Sequence, residues 1–408
     1  MKNETLKEII ERITQESEKV KSETLLSTLL AEVLNLIMNA EREIHVEKTG
    51  DSKNGFYPRH LLAGTTPVEV SIPRTRSSSF FPSIIPKYSR VLREQYQKLV
   101  ENILISSKSI QSLKQTLSNL NLPYSQEEIE KIVETLYNEF QELNSRELQS
   151  DWLAIFIDAK VIDVKNEKGE VKKATFLTAV GVDMDGKKQF LASILVYGSE
   201  NLDAWKEMLE NLSQRGVRRV LIFVTDDFPG LDRVLKSFFS LSLHQLCIVH
   251  LIRRAKTRLK KETFKNFKEF IEKMEKANSQ EEAKQILLSA LESIKHQHPY
   301  FVEEIKSKID LYTNFTIFPK EIRSRLKSTN ASENLHKELE KIRINSGGYF
   351  QSEKILFAKW AIFIKNLHSK KWLRPEPYFK SHLQTLHLLF QNIFQPPHIK
   401  NEKLTQNY

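Results

Sequence analysis

The sequence predicts an α/β protein, and three observations support this. Near residue 149 the hydrophobic pattern changes from helical spacing to the spacing of β-strands. Strand-like and helical segments then alternate up to about residue 250. A long charged stretch from about residue 251 interrupts this alternation before further helical sequence follows. Together they predict an α/β core, split by an all-helical insertion and preceded by a mainly helical region.

Composition limits the class of protein. A chain of 408 residues with 40% hydrophobic content predicts two or three structural units. The formal net charge of +10 suits a polyanionic partner such as nucleic acid. One cysteine excludes an internal disulfide framework and fits a reducing cytosol. No signal peptide or membrane-spanning run is visible, so we expect a soluble, cytoplasmic protein without a membrane partner.

The N-terminal half is predicted in two segments, residues 1–50 and 51–148. In the first, apolar residues from Thr5 to about Ala40 recur at helical spacing. The second begins with a stretch rich in glycine and proline that contains the short strand VEVSIP. It ends in two helices joined near Leu122, the second of which is capped by Ser125 and Glu128. This pattern fits a helix-turn-helix and a plain helical hairpin equally.

Basic and aromatic residues interleave in the second segment. Such a pattern is typical of a surface that follows DNA phosphates, although a solvated basic loop has the same composition. The candidate DNA-binding residues are Lys53, Arg59, Arg74, Arg76, Lys87, Arg90 and Arg93.

The core is predicted to begin in residues 149–250. Three strands, WLAIFIDAKVIDV, KATFLTAVGVDMDG and KKQFLASILVYGS, precede a helix, a strand, a helix that starts with Pro229, and a fifth strand. The order β-β-β-α-β-α-β is that of the ribonuclease-H-like fold. Residues 251–327 form the helical insertion, and residues 328–408 supply the closing helix ASENLHKELEKIR, further helices and a frayed tail from Gln395.

Three carboxylates are the candidate catalytic and metal-binding residues: Asp158, Asp226 and Glu333. Hydrolysis or transesterification of a phosphodiester uses two Mg²⁺ ions roughly 4 Å apart, whose ligands are carboxylate oxygens. Asp158 lies in the first strand and Asp226 ends the fourth, and these strands are neighbours in the predicted fold. The pattern leaves two alternatives open: Asp227 competes with Asp226, and Glu333 completes a capping box that starts at Asn330.

Cys247 and His250 form a single C-x-x-H after the fifth strand. A structural zinc site requires four ligands, and the sequence has no second pair of this kind. A buried thiol and a polar histidine at a helix start are therefore predicted. The sequence also lacks a glycine-rich phosphate loop, which argues against nucleotide-driven chemistry.

Several motifs, which follow one another along the chain in the family's order, resemble the Mutator-type transposases of bacterial insertion sequences, which are ribonuclease-H-like DDE enzymes. KNGFYPRHLL and VEVSIPRTRSSSFFPSIIPKYSR are similar to the RNGY and VPRxRxxxFxPxLxxxYxR region of that family. GSENLDAWKEMLENLSQRGV is similar to its ExxxxW stretch and RGV turn, and HQLCIVHLIRR to QxCxxHxxRN. FIDAK, VTDDFPGL and STNASENLHKELEKIR resemble the segments that carry the three catalytic acids, which places these acids at Asp158, Asp226 and Glu333.

The resemblance implies an enzyme that binds the terminal inverted repeats of its element through the N-terminal half. It would use two Mg²⁺ ions, with Mn²⁺ as a substitute, to cut strands and join them to target DNA. Because two DNA ends must be brought together, a homodimer or higher oligomer on double-stranded DNA in the nucleoid is implied. Asp227, Arg254 and Ser332 depart from the family pattern. A non-catalytic DNA-binding derivative and a ribonuclease-H-like nuclease are the alternatives.

Overall fold

A computed structural model describes residues 22–63, 66–85, 95–120, 122 and 124–394. The predictions for Lys87, Arg90, Arg93 and the tail from Gln395 lie outside these residues, as does the start of the first predicted helix. The chain divides into two compact units, Met1–Ile132 and Val133–Tyr408.

The first unit packs a long helix on a β-hairpin. Its elements are helix α1 (Ser22–Thr49), strands β1 (Lys53–Ala63) and β2 (Thr66–Thr75), and helices α2 (Gln95–Ser106), α3 (Ile110–Asn119) and α4 (Gln126–Ser145), the last of which continues into the second unit. Leu34 and Met38 of α1 are buried together with Val70 and Ile72 of β2. The exposed face of the hairpin is therefore left to polar and aromatic side chains.

Strand β1 is a feature that the hydrophobic pattern did not predict. It pairs antiparallel with β2, the strand that VEVSIP predicted. The segment KNGFYPRHLL lacks regular alternation and contains Pro58, which has no N–H for a ladder bond. A two-stranded ribbon accepts this proline because each strand has a free edge. The predicted cap of α4 is confirmed, since the Glu128 N–H donates to Ser125 Oγ and the Ser125 N–H to Glu128 Oε2.

The second unit is built on one mixed sheet. Its strands are β3 (Asp151–Lys165), β4 (Val171–Asp183), β5 (Lys188–Tyr197), β6 (Arg219–Thr225) and β7 (Leu243–Leu246). They lie in the order β5-β4-β3-β6-β7. The first three strands pair antiparallel, whereas β6 runs parallel to β3 and β7 parallel to β6. All five strands were predicted, and the α/β class is confirmed.

Helices cover both faces of this sheet. Helices α5 (Leu202–Gln214) and α6 (Leu231–Phe238) pack on one face, where Ile155, Ile157 and Trp205 are buried. Helix α6 begins at Leu231, so the prediction that it starts with Pro229 was wrong. Gly230 precedes it with a φ of +82°, a left-handed conformation that glycine adopts readily and that turns the chain into the helix.

The remaining helices of the second unit pack on the other face of the sheet or on one another. They are α7 (Ile248–Arg258), α8 (Lys261–Glu275), α9 (Gln280–Glu292), α10 (Pro299–Lys306), α11 (Ile309–Thr313), a 3₁₀ helix (Asn314–Ile317), α12 (Lys320–Leu326), α13 (Asn330–Asn345), α14 (Glu353–Lys370), α15 (Pro377–Lys380) and α16 (Leu383–Phe394). All the elements between β7 and α13 are thus helices. Among the described residues, no helix combines the length and apolar character needed to cross a membrane.

Candidate active site

Asp158 lies inside β3, in a strand whose other central residues are apolar and buried. Its side chain is almost fully buried, and Thr178 of β4 is its cross-strand neighbour. A carboxylate in such a place requires a partner because burial penalises its charge. The partner is His336 of α13, whose Nδ1 lies 2.8 Å from Asp158 Oδ2.

Asp226 follows β6 directly and is held at the level of Asp158. The parallel strands β3 and β6 pair Phe156 with Val224, and Asp158 and Asp226 each lie two residues beyond this pair. Adjacent strands are about 4.8 Å apart, so the register brings the two carboxylates close together. Burial raises the pKa of Asp226 to about 6, and the negative charge of Asp158 adds to this rise. The predicted neighbourhood of these two acids is therefore observed.

Glu333 belongs to the first turn of α13, but it does not cap that helix. The N-cap residue is Thr329, and no side chain makes a capping bond there, so the capping-box alternative was wrong. The Glu333 carboxylate instead accepts two bonds from Arg253 of α7, at 2.9 and 3.5 Å. Its contacts thus lie across the fold instead of within its own helix.

The Asp227 carboxylate contacts different residues from the Asp226 carboxylate. Lys308 Nζ lies 2.6 Å from its carboxylate, Tyr312 Oη donates to it at 2.8 Å, and Arg254 Nη1 at 2.6 Å. Burial alone would raise the pKa of Asp227, but these donors lower it. Asp227 therefore ties the β6 end to the helical insertion, and its two carboxylate oxygens are already occupied.

His250 joins two of the predicted acids. Its Nδ1 lies 2.6 Å from Asp226 Oδ1. Its Nε2 lies 3.8 Å from Glu333 Oε1 and 2.9 Å from Arg253 Nη1. Burial lowers the pKa of His250, but its contacts with Asp226 and Cys247 outweigh this effect and raise it to about 10. These contacts link Asp226 to Glu333 through His250, and His336 links Asp158 to the helix that carries Glu333. The three acids and the two histidines therefore share one neighbourhood, the cluster.

Part of this cluster was not predicted from the sequence. His250 was expected to be an ordinary polar histidine, and neither Arg253 nor His336 was a candidate site residue. A sequence signal for His336 exists, since it lies three residues after Glu333 and hence on the same helical face. Cys247 is buried, as predicted, but its sulfur, a carboxylate oxygen of Asp226 and a ring nitrogen of His250 all lie within 4.8 Å of one another.

Glu200 adds a fourth carboxylate to the surroundings. It precedes α5 and accepts a hydrogen bond of 2.8 Å from the Trp205 indole. Burial raises the pKa of Glu200, and the charge of Asp158 raises it further. The ExxxxW spacing is thus explained by this bond, which places Glu200 within electrostatic reach of Asp158.

The side chains of the cluster fit a divalent cation. Asp226, Cys247 and His250 place an oxygen, a sulfur and a ring nitrogen within 4.8 Å of one another, and Glu333 Oε1 lies 3.8 Å from His250 Nε2. Carboxylate oxygens are the ligands that Mg²⁺ and Mn²⁺ prefer, so Asp158, Asp226 and Glu333 are suitable in chemistry.

The first unit carries the candidate DNA-binding residues that the structure describes. Arg74 and Arg76 are exposed, with the Arg74 guanidinium 5.9 Å from the centre of the Tyr57 ring. Arg59 is half-buried over Phe81, and Lys53 is paired with Glu43 at 2.8 Å. Of the four candidate cations that the structure describes, Arg74 and Arg76 are therefore the most available to a polyanion.

Comparisons with known proteins agree with the motifs. A family model described as "Transposase, Mutator family" matches residues 1–373. The "Transposase for insertion sequence element IS905" of Lactococcus lactis subsp. lactis (strain IL1403) is 26% identical over 372 residues, which are 90% of this chain and 93% of that protein. The "Transposase for insertion sequence element IS256 in transposon Tn4001" of Staphylococcus aureus is 23% identical over 360 residues, 84% of this chain and 88% of that protein.

Proposed function

Because the chain belongs to the Mutator family of transposases, we propose that it is an active DDE transposase that cuts and joins the ends of its own element. The observation that supports this most is that His250 joins Asp226 to Glu333 and that His336 joins Asp158 to the helix of Glu333. The sheet order β5-β4-β3-β6-β7 supports a ribonuclease-H-like core for this site.

In this proposal Asp158, Asp226 and Glu333 hold two Mg²⁺ ions, for which Mn²⁺ substitutes. When bound, the ions would activate the attacking oxygen and stabilise charge on the leaving oxygen. The chain itself supplies orientation: His336 holds Asp158, His250 holds Asp226, and Arg253 holds Glu333. The Arg253 side chain is 56% exposed, so its guanidinium is also available to a DNA phosphate.

The partner in this proposal is double-stranded DNA, as terminal inverted repeats and as target. The exposed face of the β1–β2 hairpin supports this, since cations and aromatic rings lie side by side there. A homodimer or higher oligomer is proposed because two element ends must be held together during strand transfer.

The direct test uses DNA that flanks this reading frame as the source of candidate ends. With Mg²⁺ or Mn²⁺, the purified protein is expected to cut at the ends and join the 3′-hydroxyl strand to a target plasmid. Asp158→Asn should lose both steps and still bind the DNA. Binding without any cutting by the unaltered protein would favour the non-catalytic alternative, and cutting without joining would favour a nuclease.

The basic hairpin gives a second prediction. The double variant Arg74→Gln/Arg76→Gln is expected to weaken end binding and to reduce the slope of log affinity against log salt by about 1 for each lost phosphate contact. Fluorescence anisotropy at several salt concentrations measures this slope. Lys268→Gln, which removes an exposed lysine of α8, serves as the matched control and should leave the slope unchanged. An unchanged slope in the double variant would show that this face of the hairpin does not contact the DNA.

A further inference from the structure

His336 occupies a position where a polar ring is costly. It lies on α13 and is 6% exposed. Its neighbours on the helix, Leu335 and Leu339, belong to an apolar cluster, and its ring meets the edge of Phe176 with centroids 6.5 Å apart. An apolar side chain would fill this space without the cost of burying a polar ring.

One ring nitrogen of His336 has a partner and the other does not. Nδ1 lies 2.8 Å from Asp158 Oδ2, whereas Nε2 is buried without a hydrogen-bond partner in the described part of the chain. An ionised carboxylate only accepts hydrogen bonds, so the proton of the ring belongs on Nδ1. The ring thus leaves one buried atom unsatisfied while it keeps its contact with Asp158.

The place of His336 on the helix joins two of the candidate ligands. Glu333 precedes it by three residues, so both side chains lie on one face of α13. The same helix turn therefore reaches Asp158 of β3 through His336 and carries Glu333 as well. A shift of this helix would move both carboxylates relative to each other.

We propose that His336 is a positioning residue for the divalent cation site, which acts by holding Asp158 through Nδ1. With Oδ2 engaged by the ring, Oδ1 of Asp158 is the oxygen available to the cation. This inference rests on the proposed function, since it assumes that Asp158 is a metal ligand. Partners that orient metal ligands typically contribute about 10–100-fold to metal affinity or activity.

Two substitutions of His336 distinguish the roles of its two ring nitrogens. His336→Asn places an amide nitrogen at the position of Nδ1, because both atoms are bonded to Cγ. His336→Gln extends the amide toward the position of Nε2 and loses the donor beside Asp158. Binding of Mn²⁺ to the full-length protein, followed by electron paramagnetic resonance of free Mn²⁺, is the readout. His336→Asn is expected to bind Mn²⁺ nearly as the unaltered protein does, and His336→Gln about 10–100-fold more weakly.

Thermal unfolding without metal provides the control for a purely structural role. The Gln variant should unfold at a lower temperature than the Asn variant, because the buried Asp158 carboxylate loses its partner, so Mn²⁺ binding is compared at a temperature at which both variants are folded. Equal Mn²⁺ affinities, or weaker binding by the Asn variant than by the Gln variant, would overturn the inference. If the unaltered protein binds Mn²⁺ and Asp158→Asn does not, equal Mn²⁺ affinities of the two His336 variants would refute only the role of His336 and leave the metal site in place. If the unaltered protein binds no Mn²⁺, the proposed metal site itself fails.

Discussion

Asp226→Asn is expected to abolish metal-dependent strand cleavage, whereas Asp227→Asn is expected to retain it. Asp226 faces His250 and lies at the level of Asp158, so it contributes negative charge to the cluster. Asparagine has nearly the same size and a neutral amide, which removes this charge with little change of shape. The loss of cleavage activity should exceed the factor of about 10–100 that is typical when a residue that orients a metal ligand is changed. Cleavage of DNA that contains the element ends measures it.

Asp227→Asn is expected to act on stability instead. Lys308 and Arg254 would lose the charge that compensates them, at a cost of about 1–3 kcal/mol in the free energy of unfolding. Chemical denaturation of each variant measures this cost, and near-native circular dichroism identifies the folded samples for the cleavage assay. A folded but inactive Asp227 variant beside an active Asp226 variant would reverse the two roles.

Glu333→Gln is expected to leave folding almost unchanged and to remove strand transfer. The glutamine carbonyl still accepts a bond from Arg253, and no capping bond depends on this side chain, so the stability change should stay below about 1 kcal/mol. A neutral amide is a poor ligand for a divalent cation compared with a carboxylate. Strand transfer should therefore fall by more than about 100-fold, measured with pre-cut element ends.

Glu338→Gln is the matched control for this experiment. Glu338 lies on the same helix and pairs with Lys341 at the surface, outside the cluster. Its substitution should leave strand transfer unaltered. Full activity of the Glu333 variant would show that this glutamate is not a ligand, even if Asp158 and Asp226 are.

The elements of the core could be predicted because their hydrophobic periods are strong. The central strands alternate with amphipathic helices whose apolar faces repeat every three or four residues, and burial follows these periods. Strand β1 was missed because its pattern is irregular and includes Pro58. The start of α6 was misplaced by two residues because proline favours a first helical turn in general, while here Gly230 forms the turn.

The contacts of the site could not be predicted in the same way. The segment NASE is compatible with a capping box and with a ligand, and a local pattern contains no information about which partner reaches the carboxylate. Arg253 precedes Glu333 by 80 residues and meets it only because α7 and α13 come together in the fold. The same holds for Lys308 and Tyr312, which follow Asp227 by 81 and 85 residues.

The α/β class, the strand and helix order of the core and the resemblance to Mutator transposases could be read from the sequence alone, since these depend on residue order and local periodicity. The packing of distant elements, by contrast, gave Asp226 and Asp227 different partners, left Glu333 without a capping bond, and brought His250, Arg253 and His336 to the carboxylates. This is because a buried charge is stabilised by whichever groups the packed elements place around it. Those groups come from distant parts of the chain.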